Sequence, residues 1–66
     1  MKLKINGEEQ IVSEVKNLIE LIEGKGFNPK NIVVEHNLEV IPREKWSEVS
    51  LAEGDTVEVV SFLGGG

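Results

Sequence analysis

The three glycines that end the sequence, Gly64, Gly65 and Gly66, are where chemistry is easiest to place. Glycine resists ordering, so three in succession after a packed strand predict a flexible arm. Fully extended, three residues reach about 10 Å, which would carry a free carboxylate from the domain surface into another protein's site. Since glycine lacks a Cβ atom, such an arm would also fit a channel too narrow for side chains. A frayed end or an expression scar is the alternative that the tail alone leaves open.

No other group of residues has the spacing of a catalytic, metal-binding or phosphate-binding site. His36 is the only histidine and cysteine is absent, so a transition-metal site or a thiol nucleophile fits the sequence poorly. His36 falls at the end of a predicted strand, where a surface or loop histidine is expected. Glu8 and Glu9 are expected to be solvated charges. We therefore predict a chain that is not an enzyme, with no catalytic residue, no metal and no bound cofactor.

Length and charge limit the classes of protein further. Sixty-six residues with 39% hydrophobic content predict one domain. A net charge of −5 disfavours nucleic-acid and membrane partners and favours a partner with a basic face, although solubility alone would also explain it. No signal peptide is predicted, because residues 1–7 are not followed by the continuous apolar stretch that one needs. No transmembrane run is predicted either, because Glu20 and Glu23 interrupt the most apolar segment. We expect a soluble, cytoplasmic protein, with which the absence of cysteine is compatible.

The first half of the sequence predicts a β-hairpin followed by one helix. Residues 3–5 and 10–12 are strand-like and flank Asn6-Gly7, a strong two-residue hairpin turn. Ser13 is expected to cap the N-terminus of the helix. Apolar residues at helical spacing follow this cap. They are Val15, Leu18, Ile19 and Ile22.

The second half predicts three further strands. Either Gly24 or Gly26 is expected to end the helix by taking a left-handed conformation. Trp46 could contact a partner, but in so small a domain a core position is favoured. The first of the three strands is a β-branched run typical of a largely buried strand. The strands are predicted at residues 31–35, around 39–41 and at 56–62.

This order of elements, ββαββ and then β, predicts an α+β fold. One helix can cover only one face of a sheet, so a mixed four- to five-stranded sheet packed on one helix is the simplest arrangement. In the last strand, alternation places Val57 and Val59 on the helix face. Val60 and Phe62 then lie on the open face, beside the tail. Together with Leu63 they are our candidates for a partner-binding surface.

The whole order resembles the ubiquitin-like β-grasp sulfur carriers, most closely the thiamin-biosynthesis (ThiS) branch. The small subunit of molybdopterin synthase is a sister family that often has a proline shortly before its glycines, and residues 61–64 contain none. The resemblance implies a β-grasp domain over residues 1–63 and a flexible tail over residues 64–66. The matching segments are residues 2–7, 34–37, 41–43, 51–55 and 65–66.

The resemblance also implies a mechanism centred on Gly66. An E1-like (ThiF-like) adenylating enzyme would use ATP and magnesium to join AMP to its carboxylate. A persulfide donor protein would then leave sulfur on Gly66 as a thiocarboxylate, and a thiazole synthase (ThiG-like) would take that sulfur. A molybdopterin-synthase-type carrier, a ubiquitin-like modifier joined through Gly66 to lysines, and a plain binding module with incidental glycines are the alternatives.

Overall fold

The computed structural model describes residues 1–62, which contain five β-strands and one α-helix. Two short 3₁₀ turns, Pro29–Asn31 and Arg43–Glu48, lie in the connections. No helix within this part of the chain is long and apolar enough to cross a membrane. The strands and helix are β1 Lys2–Ile5, β2 Glu8–Ile11, α1 Leu18–Gly24, β3 Ile32–His36, β4 Glu39–Val40 and β5 Thr56–Ser61.

The five strands form one mixed sheet in the order β2-β1-β5-β3-β4. β1 and β5 are parallel neighbours, whereas β1 with β2, β3 with β4, and β3 with β5 pair antiparallel. The predicted mixed sheet on one helix is therefore confirmed. Because β5 is the middle strand, the chain leaves the sheet at its centre.

Both hairpins in the sheet have two-residue turns in the left-handed region. Asn6 and Gly7 have φ values of 50° and 84°, which confirms the predicted β1–β2 turn. The β3–β4 turn has φ values of 51° at Asn37 and 73° at Leu38. Asparagine and glycine tolerate this conformation, but a leucine there is strained. Leu38 is also 83% exposed, so packing does not offset the strain.

The predicted start of the helix is wrong. Ser13 does not cap α1, which begins five residues later at Leu18. Asn17 is the N-cap instead, and its side-chain oxygen accepts a hydrogen bond from the Glu20 N–H at 3.0 Å. Glu14 has a φ of 62°, outside the right-handed helical region. The polar residues after β2 therefore form a connection rather than a first helical turn.

Contacts with a distant segment explain this late start. The Leu18 N–H donates to the Val49 carbonyl, and the Leu51 N–H donates to the Lys16 carbonyl, both at 3.0 Å. These bonds hold residues 16–18 against residues 49–51 in an extended arrangement. Val15 is therefore half-buried outside the helix rather than on its apolar stripe.

Of the two glycines predicted to end the helix, Gly26 is the one that takes the left-handed conformation. α1 ends at Gly24, and Gly26 has the left-handed φ of 80°. The Gly26 N–H donates to the Glu23 carbonyl at 3.1 Å, and the Phe27 N–H donates to the Ile22 carbonyl at 3.3 Å. This pair of bonds is a Schellman motif, which satisfies carbonyls that the helix end would otherwise leave free.

The core lies between α1 and one face of the sheet. Trp46 is 1% exposed, and its Nε1 donates to the Ile41 carbonyl at 2.8 Å, which confirms the favoured core position. The prediction of a largely buried third strand is half right, because Val33 is 42% exposed. The other buried residues are Leu3 and Ile5 of β1, Leu18, Leu21 and Ile22 of α1, Ile32 and Val34 of β3, and Val57 and Val59 of β5.

Candidate functional site

The last strand presents one buried face and one exposed face, as its alternation predicted. Val57 and Val59 are buried, whereas Val60 is 57% and Phe62 41% exposed. The Phe62 N–H donates to the Asn31 carbonyl at 2.9 Å, which holds the residue after β5 against the segment before β3. Val60 and Phe62 therefore lie on the open face of the sheet, where the chain passes on to residue 63.

The rest of the predicted site lies outside the described residues. Leu63, Gly64, Gly65 and Gly66 all belong to this part of the chain. The division into a domain at residues 1–63 and a tail at residues 64–66 therefore stays a prediction, as do the roles of these four residues.

Two further valines join the exposed apolar surface. Val33 of β3 is directly opposite Val60 in the sheet, and Val40 of β4 is opposite Glu35 on the same face. Val33 and Val40 are 42% and 58% exposed. Both valines were missed from the sequence, although alternation in β3 and β4 could have indicated them. We call Val33, Val40, Val60 and Phe62 the open-face patch.

Two carboxylates border the open-face patch. Glu35 and Glu58 are directly opposite each other on β3 and β5, and alternation places them on the same face as Val33 and Val60. Like charges in this position repel. Neither carboxylate forms an ion pair within residues 1–62. An apolar patch with an unneutralised acidic border fits a partner surface that combines apolar and basic side chains.

A cluster of polar side chains fixes the start of β5, the end of the strand that is remote from Phe62. His36 Nε2 lies 2.7 Å from Asp55 Oδ2, and the Asn37 side-chain amide donates to Oδ1 at 3.1 Å. The Ala52 N–H also donates to Asp55, at 2.9 Å. Burial opposes ionisation of this carboxyl, but the hydrogen bonds from His36, Asn37 and Ala52 and the charge of His36 outweigh it and lower the pKa of Asp55. The carboxylate therefore accepts, and His36 donates from Nε2.

This geometry corrects the expectation for His36. The residue does lie at the end of β3, but its side chain is only 17% exposed and pairs with Asp55 rather than with solvent. Asn37 extends the cluster, because its Oδ1 accepts from the Thr56 N–H at 2.8 Å and its own N–H donates to the Thr56 carbonyl at 2.8 Å. The cluster thus fixes the β3–β4 turn to the start of β5.

Metal ligands and cavities are the other features of the described residues on which chemistry could depend. Within residues 1–62, no three metal-ligating side chains come together. A shallow cavity of about 280 Å³ opens between α1 and the segment that precedes it, and no β5 residue contributes to it. It is lined by Val12, Ser13, Val15, Leu21, Gly24 and Lys25.

This sheet, with its single helix and its central last strand, places the chain in the class of ubiquitin-like β-grasp proteins. The family model described as "ThiS family" matches residues 2–66, and the chain belongs to that family. The sulfur carrier protein ThiS of Bacillus subtilis is 32% identical over 65 residues, which cover 97% of this chain and 98% of that protein.

A solved structure and a larger relative complete the comparison. The crystal structure of the thiamine biosynthesis protein ThiS from Geobacter metallireducens covers 100% of both chains with a TM-score of 0.84 and 35% identity. A thiazole synthase of Paramagnetospirillum magneticum is 39% identical over 66 residues, all of this chain but only 20% of that protein. The chain thus spans about a fifth of the length of the thiazole synthases that it matches.

Proposed function

We propose that this chain is a sulfur carrier for thiazole formation in thiamin biosynthesis and acts as a substrate of partner enzymes rather than as a catalyst. The observation that carries the proposal is the match to the ThiS family, which runs from residue 2 to Gly66. The similarity to the carrier of B. subtilis, which covers nearly all of both chains, supports the same role.

Activation is needed because a carboxylate is anionic at neutral pH and a poor electrophile. An E1-like, ThiF-like enzyme with ATP and magnesium would supply it. A carboxylate oxygen of Gly66 attacks the α-phosphate of ATP, pyrophosphate leaves, and the acyl adenylate has AMP as a good leaving group. The terminal sulfur of a donor-protein persulfide then displaces AMP and forms an acyl disulfide. A thiol reductant supplies two electrons to cleave its S–S bond, which leaves a thiocarboxylate on Gly66.

The open-face patch is the surface on which these partners would dock, together with Leu63. Its four side chains are between 41% and 58% exposed, and apolar surface in this range stabilises an interface when it is covered. Glu35 and Glu58 would select partners with basic groups at the corresponding positions. The net charge of −5 favours the same partners at longer range.

Thiazole synthase is the proposed acceptor of the sulfur. Two relatives named thiazole synthase, from Paramagnetospirillum magneticum and Magnetococcus marinus, match all 66 residues at 39% and 41% identity. Each of these proteins therefore contains a segment similar to this chain, which supports a working association between the carrier and the synthase. Complementation of a thiamin auxotroph, and not of a molybdenum-cofactor auxotroph, would place the chain in the thiamin branch.

Mass spectrometry after incubation with the ThiF-like enzyme, ATP, magnesium, a persulfide donor and a thiol reductant tests the proposal. We expect a sulfur-for-oxygen exchange localised to Gly66, and no exchange in a variant that lacks Gly66. Ladders of higher-mass adducts on lysines would instead identify a protein modifier. An unchanged mass, under conditions that load the carrier of B. subtilis, would contradict both roles.

A further inference from the structure

The two edges of β5 are used differently, and the hydrogen bonds show which residues face which neighbour. The Asn37 N–H donates to the Thr56 carbonyl, and the Phe62 N–H donates to the Asn31 carbonyl. Main-chain groups alternate in direction along a strand, so those of residues 56, 58, 60 and 62 face β3. The register with β3 continues without a break from Val57 to Ser61. This edge of β5 is therefore fully paired.

The other edge faces β1 and is paired over only part of its length. The strand register with β1 ends at Ile5 opposite Val57, and the Asn6 N–H adds a bond of 2.9 Å to the Val57 carbonyl. The chain then turns away at Asn6-Gly7. The Asn6 side chain supplies one more acceptor, because its Oδ1 lies 2.7 Å from the Val59 N–H. A side chain thus replaces the main-chain acceptor that a longer β1 would have provided.

Beyond this last bond the edge is open. By the same alternation, the Val59 carbonyl and both main-chain groups of Ser61 face the side that β1 has left. No residue of the described part of the chain hydrogen-bonds to these three groups. Ser61 is also exposed. The middle strand of the sheet therefore has an unpaired edge over about 10 Å, next to the point where the chain continues to residues 63–66.

We propose that this edge, Val59 to Ser61, is a strand-addition site for an extended segment of the adenylating enzyme. The inference rests on the proposed function, in which that enzyme must bind the chain close to Gly66. Unpaired donors and acceptors on a strand are a template for another extended backbone, and such pairing tolerates many side chains while it fixes direction. The edge is continuous with the open-face patch through Val60 and Phe62, so one partner would cover both.

A second copy of this chain fits the edge less well. Three residues give too few hydrogen bonds for two small domains to associate stably through main-chain pairing alone. In the proposed function the adenylating enzyme would also cover the open-face patch, so its added segment would need to contribute only a few further contacts. Pairing there would hold the end of β5 in line and set the direction in which the tail enters the enzyme.

Amide hydrogen exchange of the full chain, followed residue by residue by NMR, tests the site with internal controls. In the free chain we expect fast exchange at Ser61 and slow exchange at Val60 and Phe62, which are bonded toward β3. Saturation with the ThiF-like enzyme should slow Ser61 and leave Val60 and Phe62 protected. Unchanged fast exchange at Ser61 in the complex would overturn the proposal. Protection of Ser61 in the concentrated free chain would indicate self-association and also contradict it.

A matched pair of variants tests the same bond by binding. Ser61→Pro removes the N–H on the open edge and no bond to β3, whereas Ser61→Ala changes the side chain and keeps the N–H. We expect Ser61→Pro to raise the Kd for the enzyme on the order of tenfold, because the enzyme's acceptor loses its partner. Ser61→Ala should bind like the parent chain. Equal affinities of the two variants, both folded by circular dichroism, would contradict the site.

The outcomes separate this inference from the proposed function. A chemically synthesised chain with an N-methylated Ser61 replaces Ser61→Pro if the proline variant does not fold. If the parent chain acquires sulfur while Ser61 stays unprotected in the complex, the strand-addition site is wrong and the carrier function stands. If Ser61 is protected in the complex but Gly66 does not acquire sulfur under any loading conditions, the strand-addition site stands and the carrier function is wrong.

Discussion

The two ends of β5 are held in opposite ways. At its start, Thr56 is bonded to Asn37 on one side, Asp55 accepts several hydrogen bonds, and Val57 is fully buried in the core. At its end, only β3 pairs with the strand, and Val60 is exposed. A strand that is fixed at its start can present its other end to a partner without loss of the fold. The comparison predicts that stability depends on the start and partner binding on the end.

The largest difference in stability is expected between two variants that each place one negative charge on β5, one near its start and one near its end. Val57→Asp buries an unpaired carboxylate, which we expect to cost more than about 4 kcal/mol and to unfold so small a domain. Val60→Asp leaves the carboxylate in water and should cost less than about 1 kcal/mol, while it weakens binding of the adenylating enzyme. Circular dichroism and urea titration measure the difference. Equal loss of stability in both variants would contradict the proposed difference between the two ends of β5.

A smaller effect is expected at the polar cluster. Asp55→Ala removes the acceptor for His36, Asn37 and the Ala52 N–H, which we expect to lower the free energy of unfolding by about 2 kcal/mol. Glu44→Ala, an exposed control, should stay within about 0.5 kcal/mol of the parent chain. Urea unfolding at neutral pH measures both. Equal free energies of unfolding for the two variants would show that the cluster does not stabilise the fold.

The pH dependence of the same variant sharpens this test. The folded state lowers the pKa of Asp55, so the contribution of this carboxylate is complete above its unfolded pKa and is lost as the pH falls through the folded pKa. The gap in stability between the parent chain and Asp55→Ala should therefore shrink in acid, as the pH falls through the folded pKa of Asp55. A gap that stays unchanged after the Asp55 carboxylate has been protonated would contradict its role as the acceptor in this cluster.

The smallest effect is expected at the turn that carries Asn37. Leu38→Gly places glycine at a left-handed position where leucine is strained, and part of the gain is cancelled by the greater freedom of glycine in the unfolded chain. We expect the free energy of unfolding to rise by about 0.5 kcal/mol. The rate of adenylation should not change, because Leu38 lies in the β3–β4 turn next to the start of β5, whereas the partner is proposed to bind at the end of β5. A loss of stability would show that Leu38 makes a contact that offsets its strain.

Local signals accounted for most of the fold. The Asn6-Gly7 turn fixed the first hairpin, because both residues tolerate the left-handed conformation that the turn requires. Alternation in β5 correctly separated Val57 from Val60. Both features depend on residues close together in the sequence, which is why the sequence alone was sufficient.

The parts that were missed depend on contacts between distant residues. The helix start was misplaced because residues 16–18 pair with Val49 and Leu51, which no local rule for Ser13 could anticipate. The hydrogen bond between His36 and Asp55 joins residues 19 positions apart. Val33 was hidden in a run of apolar residues whose period did not distinguish the two faces of β3. Gly64 to Gly66 lie outside the described residues, so their roles stay predictions.

Transfer of labelled sulfur is the decisive test of the proposed carrier function. The chain is first loaded at Gly66 with isotopically labelled sulfur and then mixed with thiazole synthase and its other substrates. We expect label in the thiazole product, in proportion to the thiocarboxylate consumed, and no label from a Gly65→Val control that folds normally but is not loaded. A thiazole product that forms without label while the thiocarboxylate stays intact would contradict the proposed carrier function.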